Sequence, residues 1–242
     1  MVQELPRRTS SSGPAIIRLL ARLNDADILE PRQPPPDRLS QWLGWSDAIA
    51  LAATLNGSAP AIAAGVDDSA FTEEDYERVK AELERAIAGV NAPPPRRQRG
   101  HRPTAAQGGA RSAEAAEFAT YRRRYIALQE AMETRIADLR RSLRGVLACG
   151  TAQMAGLAGL DAVLEQALND REYRLLAGVP ALLETRFERL RRAAQVEPDE
   201  SGAPASDAWL DAFDKDMRGV LLAELNIRLQ PLEGLLAALR AC

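Results

Sequence analysis

The sequence predicts an all-α protein, and three observations support that prediction. Apolar residues make up 46% of the chain and are mostly Ala and Leu, whereas aromatic residues make up only 5%. Strands favour aromatic and β-branched residues, so this composition favours helices. Apolar residues also recur at steps of three and four, and no segment alternates apolar and polar residues as a half-buried strand does. We therefore expect helices throughout the ordered parts of the 242 residues.

The N-terminal region, residues 1–90, is predicted to form a small helical unit. A first amphipathic helix is expected between Pro14 and Pro31, because proline is tolerated in the first turn of a helix and stops a helix elsewhere. A second helix is expected over residues 37–57, from a capping aspartate to an Asn-Gly stop. A third helix begins after Thr72, which resembles a capping box with Asp75 three residues on.

Residues 91–113 differ in composition from the segments on either side. They are rich in Pro, Gly and Arg and show no apolar periodicity. Such a stretch cannot bury enough apolar surface to offset the entropy of ordering it. We predict a disordered basic linker here, which divides the chain into two helical units.

The C-terminal region, residues 114–242, is predicted to form a long-helix bundle or an antiparallel coiled coil. Its first helix carries an apolar stripe whose steps contain one stutter, which favours a nearly straight helix. The stripe consists of Phe118, Tyr121, Tyr125, Leu128, Met132, Ile136, Leu139, Leu143 and Val146. Further on, Gly178 and Pro180 either separate two helices or kink one, an acidic loop is expected near residues 195–206, and Pro231 is expected to kink the last helix.

Few residues in this chain could carry out catalysis. The single histidine, His101, lies in the basic linker, where nothing would hold it against an orienting partner, so a Ser-His-Asp triad or a Cys-His dyad is not indicated. Two cysteines far apart and one linker histidine cannot supply the converging ligands of a zinc site. Cys149 is interpreted as a small buried residue, with a reactive thiol as the alternative. We predict a non-enzymatic protein without a cofactor or a metal.

Arginines near the middle of the chain raise the possibility of nucleic-acid binding. Arg96, Arg97, Arg99 and Arg102 could hold a phosphate backbone without reading its sequence. The run Tyr121 to Tyr125 interleaves two tyrosines with three arginines, but four-residue spacing places both tyrosines on the apolar stripe of a helix. We therefore expect the tyrosines in the core and their arginines facing outward. The net charge of −3 also argues against a general polycation.

The predicted helix over residues 37–57 is apolar on nearly all of its sides and contains two tryptophans. Its expected partner-binding residues are Leu39, Trp42, Trp45 and Ile49. A helix of this kind must be buried on several sides, either within the core or against another subunit or the C-terminal helices. It is too short to span a bilayer, and Asp47 would be costly there. No window of the chain has the roughly 20 apolar residues that a membrane span requires.

Three stretches resemble an uncharacterised family of proteobacterial helical proteins. They are SGPAIIRLLARL-DAD near the start, DRLSQWLGWSDAIALAATL from residue 37, and LLAELNIRLQPLEGLLAAL near the end, of which the run DRLSQWLGW-DA is the most distinctive. The resemblance implies genes that neighbour those of a membrane protein of the motor-stator or TolQ type and of an OmpA-like peptidoglycan-binding protein. It therefore implies a cytoplasmic accessory partner of such an envelope complex, with no catalytic residues to transfer.

The sequence favours two functions over a third, an enzyme that would need a cofactor of which the sequence gives no sign. The first is a non-enzymatic helical adaptor in the cytoplasm that binds a protein partner or forms a homo-oligomer, without inserting into a membrane. The second is a nucleic-acid-associated regulator that uses the arginines of the linker. An absence of disulfide spacing favours a reducing compartment for either one.

Overall fold

The computed structural model describes residues 15–23, 44–56, 71–90, 110–196 and 208–241. Seven helices lie within these ranges: α1 (Ala15–Leu23), α2 (Trp45–Leu55), α3 (Glu73–Ala88), α4 (Ala110–Ala148), α5 (Ala152–Leu176), α6 (Val179–Val196) and α7 (Ala208–Arg240). No strand occurs in this part of the chain, so the predicted all-α fold class is confirmed.

The long helix α4 packs against α5 and α6, which run antiparallel to it. Asp161 of α5 pairs with Arg140, near the end of α4, whereas the last residue of α5, Leu176, lies opposite Gln129. The same direction continues into α6, where the Phe187 ring lies 5.5 Å from Phe118 near the start of α4. The two shorter helices thus form one row along α4, interrupted only at residues 177–178.

Helix α7 completes the core by running parallel to α4 and antiparallel to the α5–α6 row. Its Phe213 contacts Phe118, with ring centroids 6.4 Å apart, and its Glu224 bonds to Tyr125, about two turns further along α4 and about three turns further along α7. The apolar stripe predicted on α4 supplies much of this core. The fully buried side chains include Tyr125, Met132, Leu143, Leu147, Phe187, Phe213, Met217, Leu221, Leu225 and Leu229.

The three N-terminal helices pack onto the C-terminal ones. Helix α3 lies against α4 and α7, and its Tyr76 hydroxyl donates a 2.8 Å hydrogen bond to Glu233. Helix α1 lies on α7, where Gly219 faces Leu19, and helix α2 lies on α5. Contacts therefore join the regions that the sequence analysis assigned to two separate units.

In two of the helices, an acid three residues after the N-cap accepts a bond from the N-cap N–H. The Thr72 hydroxyl accepts a 3.3 Å bond from the Asp75 N–H, and the Asp75 carboxylate accepts a 2.9 Å bond from the Thr72 N–H, which confirms the predicted capping box of α3. In α2, the carboxylate of Asp47 accepts a 3.0 Å bond from the N–H of Gly44. Both acids satisfy a backbone donor that the first turn leaves free.

The start of α2 corrects the prediction of one helix over residues 37–57. Gly44 has an extended backbone (φ −71°, ψ 166°), so the helix begins at Trp45 and not at Asp37. Glycine loses more backbone entropy in a helix than other residues, and the bond that the Gly44 N–H donates to the Asp47 carboxylate stabilises a helix start at this point. The predicted residues 37–43 lie outside the described part of the chain.

Other boundaries also differ from the predicted ones. Helix α4 begins at Ala110, within the predicted linker, and α6 extends through Val196, into the predicted acidic loop. The rest of both segments lies outside the described residues. Pro231 lies inside α7, which the structure shows as one helix from Ala208 to Arg240.

Pro180 explains why the chain turns between α5 and α6. A proline has no N–H, so the carbonyl of Leu176, four residues earlier, loses its usual helical donor. The side chain of Gln129 on α4 supplies one instead, with its Nε2 donating to that carbonyl at 3.4 Å. Of the two possibilities that the sequence left open, two helices rather than one kinked helix are observed.

Candidate partner-binding site

One side of α2 exposes a continuous row of apolar side chains. The exposed fractions are 84% for Trp45, 55% for Ile49 and 68% for Leu55, and Ala48 and Ala52 are exposed as well. We call this surface the Trp45 face; it consists of Trp45, Ala48, Ile49, Ala52 and Leu55. A contiguous row of exposed large apolar side chains, unlike single scattered ones, is a typical mark of an interaction site.

The opposite side of α2 is the buried one, although it carries the polar residues Asp47 and Thr54. Thr54 is 4% exposed, and its hydroxyl donates a 2.8 Å bond to the carbonyl of Ala50, so the hydroxyl is satisfied within the helix. Asp47 on the same side is half-buried and caps Gly44. Because α2 packs on α5 while its Trp45 face is open, the alternatives in which the core or the C-terminal helices cover this face are wrong, and the alternative of another subunit stays a prediction.

The structure describes two of the four predicted partner-binding residues. Trp45 and Ile49 lie one turn apart on the exposed face of α2. Leu39 and Trp42 lie outside the described residues. Since Gly44 interrupts the helix before Trp45, the pattern of one continuous helix does not bring Trp42 and Trp45 to a common face.

The predicted nucleic-acid contacts all lie outside the described part of the chain. Arg96, Arg97, Arg99 and Arg102 all belong to residues that the structure does not describe. For the neighbouring run in α4, the interpretation of a core position is confirmed, because Tyr125 is fully buried and Tyr121 packs edge-on against Phe213 at 5.2 Å. Two of the arginines of this run, Arg122 and Arg123, are exposed.

A buried carboxylate that the sequence analysis missed lies where α4, α5 and α7 meet. Glu224 of α7 is 0% exposed and accepts hydrogen bonds from Tyr125 at 2.6 Å, from Gln129 at 3.0 Å and from Arg228 at 3.0 Å. Arg228 in turn reaches Glu172 of α5 at 3.4 Å. Burial, and then the charge of Glu224, raise the pKa of the Tyr125 hydroxyl far above its ordinary range.

A second polar cluster joins α4 to α5. Arg140 forms a two-bond contact with Asp161, at 2.6 and 2.8 Å, and Arg144 pairs with Glu165 at 2.5 Å and with Asp161 at 3.1 Å. All but Glu165 are nearly buried. Two cations and two anions balance here, so the cluster joins the helices and presents no net charge for a ligand.

These clusters have little capacity for catalysis. Their ionisable groups are bonded to one another, and no group of three His, Cys, Asp or Glu residues in the described ranges could hold a metal ion. The expectation that Cys149 is a small buried residue is wrong. It lies in the turn between α4 and α5 and is exposed. The Trp45 face is therefore the best candidate site among the described residues.

Comparison with known proteins gives one match. A family model described as "Protein of unknown function (DUF3348)" matches residues 1–241. The chain belongs to this family. No curated protein and no solved structure matches the DUF3348 chain. None of its described helices is both long and apolar enough to cross a bilayer.

Proposed function

We propose that this protein is a non-enzymatic helical adaptor that binds another protein through the Trp45 face. The observation that carries the proposal is the inverted orientation of α2, which packs on α5 and leaves Trp45, Ile49 and Leu55 in solvent. An exposed tryptophan on a rigid helix is the kind of anchor that dominates protein interfaces. Covering this face would remove several large apolar side chains from water, which favours association.

The chemistry of the face supports a protein ligand. Its five residues carry no charge and no hydrogen-bonding group except the indole N–H of Trp45, so a phosphate or a metal would find no ligand there. An apolar groove or a second helix would match it, as in the recognition of amphipathic helices by hydrophobic grooves. We further propose that Leu39 and Trp42, which precede the face in sequence, extend the same interface.

The partner that we propose is a cytoplasmic part of an envelope complex with a motor-stator or TolQ-like membrane subunit. This rests on the resemblance carried by the DRLSQWLGW-DA run, which includes Trp45 itself. We also propose that the protein comes from a proteobacterium and acts in the cytoplasm. Its C-terminal helices then form a bundle or an antiparallel coiled coil.

The decisive experiment is affinity purification of the full chain from its host with Trp45→Ala and Ile49→Ala combined. We expect loss of the co-purifying protein while the helical circular dichroism remains, because both side chains are exposed in the free chain. The matched control is Tyr173→Ala with Leu175→Ala, which removes two exposed apolar side chains from α5. Retention of the same partner by the Trp45 variant would refute the proposal.

A second candidate, binding of nucleic acid, has one structural observation in its favour. Arg122 and Arg123 are exposed on α4, downstream of the linker arginines in the sequence. If this surface binds DNA or RNA, retardation at low salt should weaken steeply as salt rises, because counterions are released on binding. Changing both arginines to Ala should then shift the binding curve, and an absence of retardation at low salt would exclude this function.

A further inference from the structure

The side of α2 that packs on α5 buries little apolar surface. We call it the docked side; it consists of Asp47, Ala50, Leu51, Ala53 and Thr54. Thr54 alone is buried, and Leu51, the one large apolar side chain among them, is half-buried. The other large apolar side chains of the helix lie on the Trp45 face. Alanines and a threonine therefore make up most of the contact with α5, and they offer little apolar area.

The polar side chains of the docked side do not attach α2 to α5. The Thr54 hydroxyl donates to the carbonyl of Ala50, and the Asp47 carboxylate accepts from the N–H of Gly44, so both are bonded within α2 or at its cap. Between the described residues, no hydrogen bond or ion pair joins α2 to α5. By contrast, nearly buried ion pairs of Asp161 join α5 to α4.

Helix α2 is also separate from the hydrophobic core. Each of the other described helices contributes a side chain to that core, whereas no apolar side chain of α2 belongs to it or packs against it. Of the described helices, only α5 makes an extended contact with α2. A helix of 11 residues is marginal in water on its own, so α2 depends on this one contact. Segments with few buried apolar contacts open most easily, so α2 should open more readily than the core helices.

We infer that α2 opens away from α5 as a unit while the helices of the core stay folded. The chain from Leu23 to Gly44 and from Asn56 to Phe71 is long enough to allow this, because an extended chain spans roughly 3.3 Å per residue. The open state is the minor one, and it makes the docked side accessible together with the Trp45 face. The inference rests on the proposed function, because it says how the partner-binding helix becomes available.

Opening of α2 reconciles its sequence with its position. A helix that is apolar on nearly all sides is typically buried on several sides, yet α5 covers only one side of α2. A partner with a deep apolar groove would bury Leu51 and the alanines of the docked side as well as the Trp45 face. Helix α5 and such a partner compete for the docked side, so the apparent affinity is reduced by the small fraction of chains that are open.

The test is the reactivity of a thiol at position 54 in the full chain, with Cys149→Ser and Cys242→Ser as background. Thr54→Cys and the matched control Val220→Cys, on α7, each replace a buried β-branched residue by a side chain of similar size. We expect a chromogenic aromatic disulfide to label Thr54→Cys about 10- to 1,000-fold more slowly than the urea-unfolded chain, with little dependence on urea. Labelling of Val220→Cys requires global unfolding, so it should be slowed more than about 10⁴-fold and depend steeply on urea. Equal rates and equal urea dependence for the two thiols would overturn the inference.

Two alanine substitutions test which side of α2 holds the helix in place. In the Thr54→Cys chain, Leu51→Ala removes a half-buried side chain from the docked side and should speed labelling about fivefold or more. Ile49→Ala removes a side chain from the Trp45 face and should change the rate by less than about threefold. A larger effect of Ile49→Ala than of Leu51→Ala would contradict α5 as the surface that α2 leaves.

Hydrogen exchange of the unmodified chain tests the same opening without an introduced cysteine. The amides of α2 should exchange at least about 100-fold faster than the slowest amides of α4 and α7. Equal protection of all three helices would overturn the inference. Neither measurement requires a partner, so a chain whose α2 opens only on global unfolding refutes the inference and leaves the adaptor function to the capture experiment with Trp45→Ala and Ile49→Ala.

Discussion

At the scale of single residues, Glu224 is the most informative side chain in the core. Its carboxylate is completely buried, yet a hydroxyl, an amide and a guanidinium all donate to it. A buried charge is tolerated only when its hydrogen bonds are made, and each missing donor leaves a desolvated oxygen. Tyr125 supplies the shortest of these bonds, at 2.6 Å.

Removing the hydroxyl of Tyr125 should therefore destabilise the chain. We expect Tyr125→Phe to lower the free energy of unfolding by about 1–3 kcal/mol, because Glu224 loses a donor that water cannot replace. Urea denaturation measures the change. Tyr173→Phe, at a largely exposed tyrosine, is the control and should change the free energy by less than about 0.5 kcal/mol.

The same hydroxyl should make stability fall at alkaline pH. Burial raises the pKa of Tyr125 above its ordinary value of 10.0, so the folded chain keeps a proton that the unfolded chain releases. Its contribution is present below pH 10 and is lost as pH rises from there towards the folded pKa. Urea midpoints between about pH 9 and 11 should fall less steeply in Tyr125→Phe than in the wild type. An equal slope in both proteins would contradict this assignment.

At the scale of helices, α4 makes ion pairs at two levels of burial, a nearly buried set with α5 and an exposed pair within α4 itself. Asp161 is nearly buried between Arg140 and Arg144, whereas Asp138 pairs with Arg141 on the surface of α4 at 2.7 Å. The desolvation of a buried charge makes the loss of its partner costly, whereas water readily replaces the partner of an exposed one. The two aspartates thus form a matched comparison within one helix pair.

Asp161→Ala should destabilise the contact between α4 and α5 strongly. It leaves two nearly buried guanidinium groups with only Glu165, and we expect a loss of about 3 kcal/mol in the free energy of unfolding. Asp138→Ala should cost about 0–1 kcal/mol, since its ion pair is exposed. Chemical denaturation of both variants measures the difference, and equal losses would show that burial does not govern these pairs.

Helix starts show how far local sequence reasoning reaches. The pair Thr72 and Asp75 matched a known capping pattern and was predicted correctly. Asp47 makes the same bond to Gly44, but the surrounding apolar run suggested that the helix continued through that glycine. Glycine is a weak helix former and does not always end a helix. Whether the helix begins after Gly44 therefore depends on whether the Asp47 carboxylate accepts a bond from the Gly44 N–H.

At the scale of the whole molecule, α3 links the first part of the chain to the second. Leu83 and Ile87 are buried in the same core as α4 and α7, and ion pairs join Glu82 to Arg135 and Glu73 to Arg240. The basic stretch between α3 and α4 therefore does not separate two independent cores. Unfolding of one part should expose apolar surface on the other.

We expect the chain to unfold in one cooperative transition that Leu83→Ala shifts as a whole. Leu83 is 2% exposed, and its truncation should cost about 2–5 kcal/mol through lost burial and the cavity left behind. Hydrogen exchange should show faster global opening in α4 and α7 as well as in α3. Faster exchange confined to α3 would instead support an independent N-terminal unit. The control for Leu83→Ala is Ala81→Gly, which changes an exposed position of the same helix.

The pattern of apolar residues predicted which side of α4 is buried, but not what covers it. Met132 and Leu143 follow the expected stripe, since steps of three and four determine a helix face. Which helix packs on that face depends on contacts between distant residues, which one sequence does not reveal. A signal for the buried polar cluster was present, because Glu224 and Arg228 lie four residues apart within an apolar run. Polar residues at such positions are often buried in pairs.

The solvent exposure of the Trp45 face also affects how much of this protein can accumulate in a cell. If the proposed partner exists, a chain made in excess of it would expose an indole and two branched side chains to cellular chaperones and proteases. Degradation and aggregation both act on exposed apolar surface. The cellular lifetime of the protein should therefore depend on the stoichiometry of assembly as well as on its folding equilibrium.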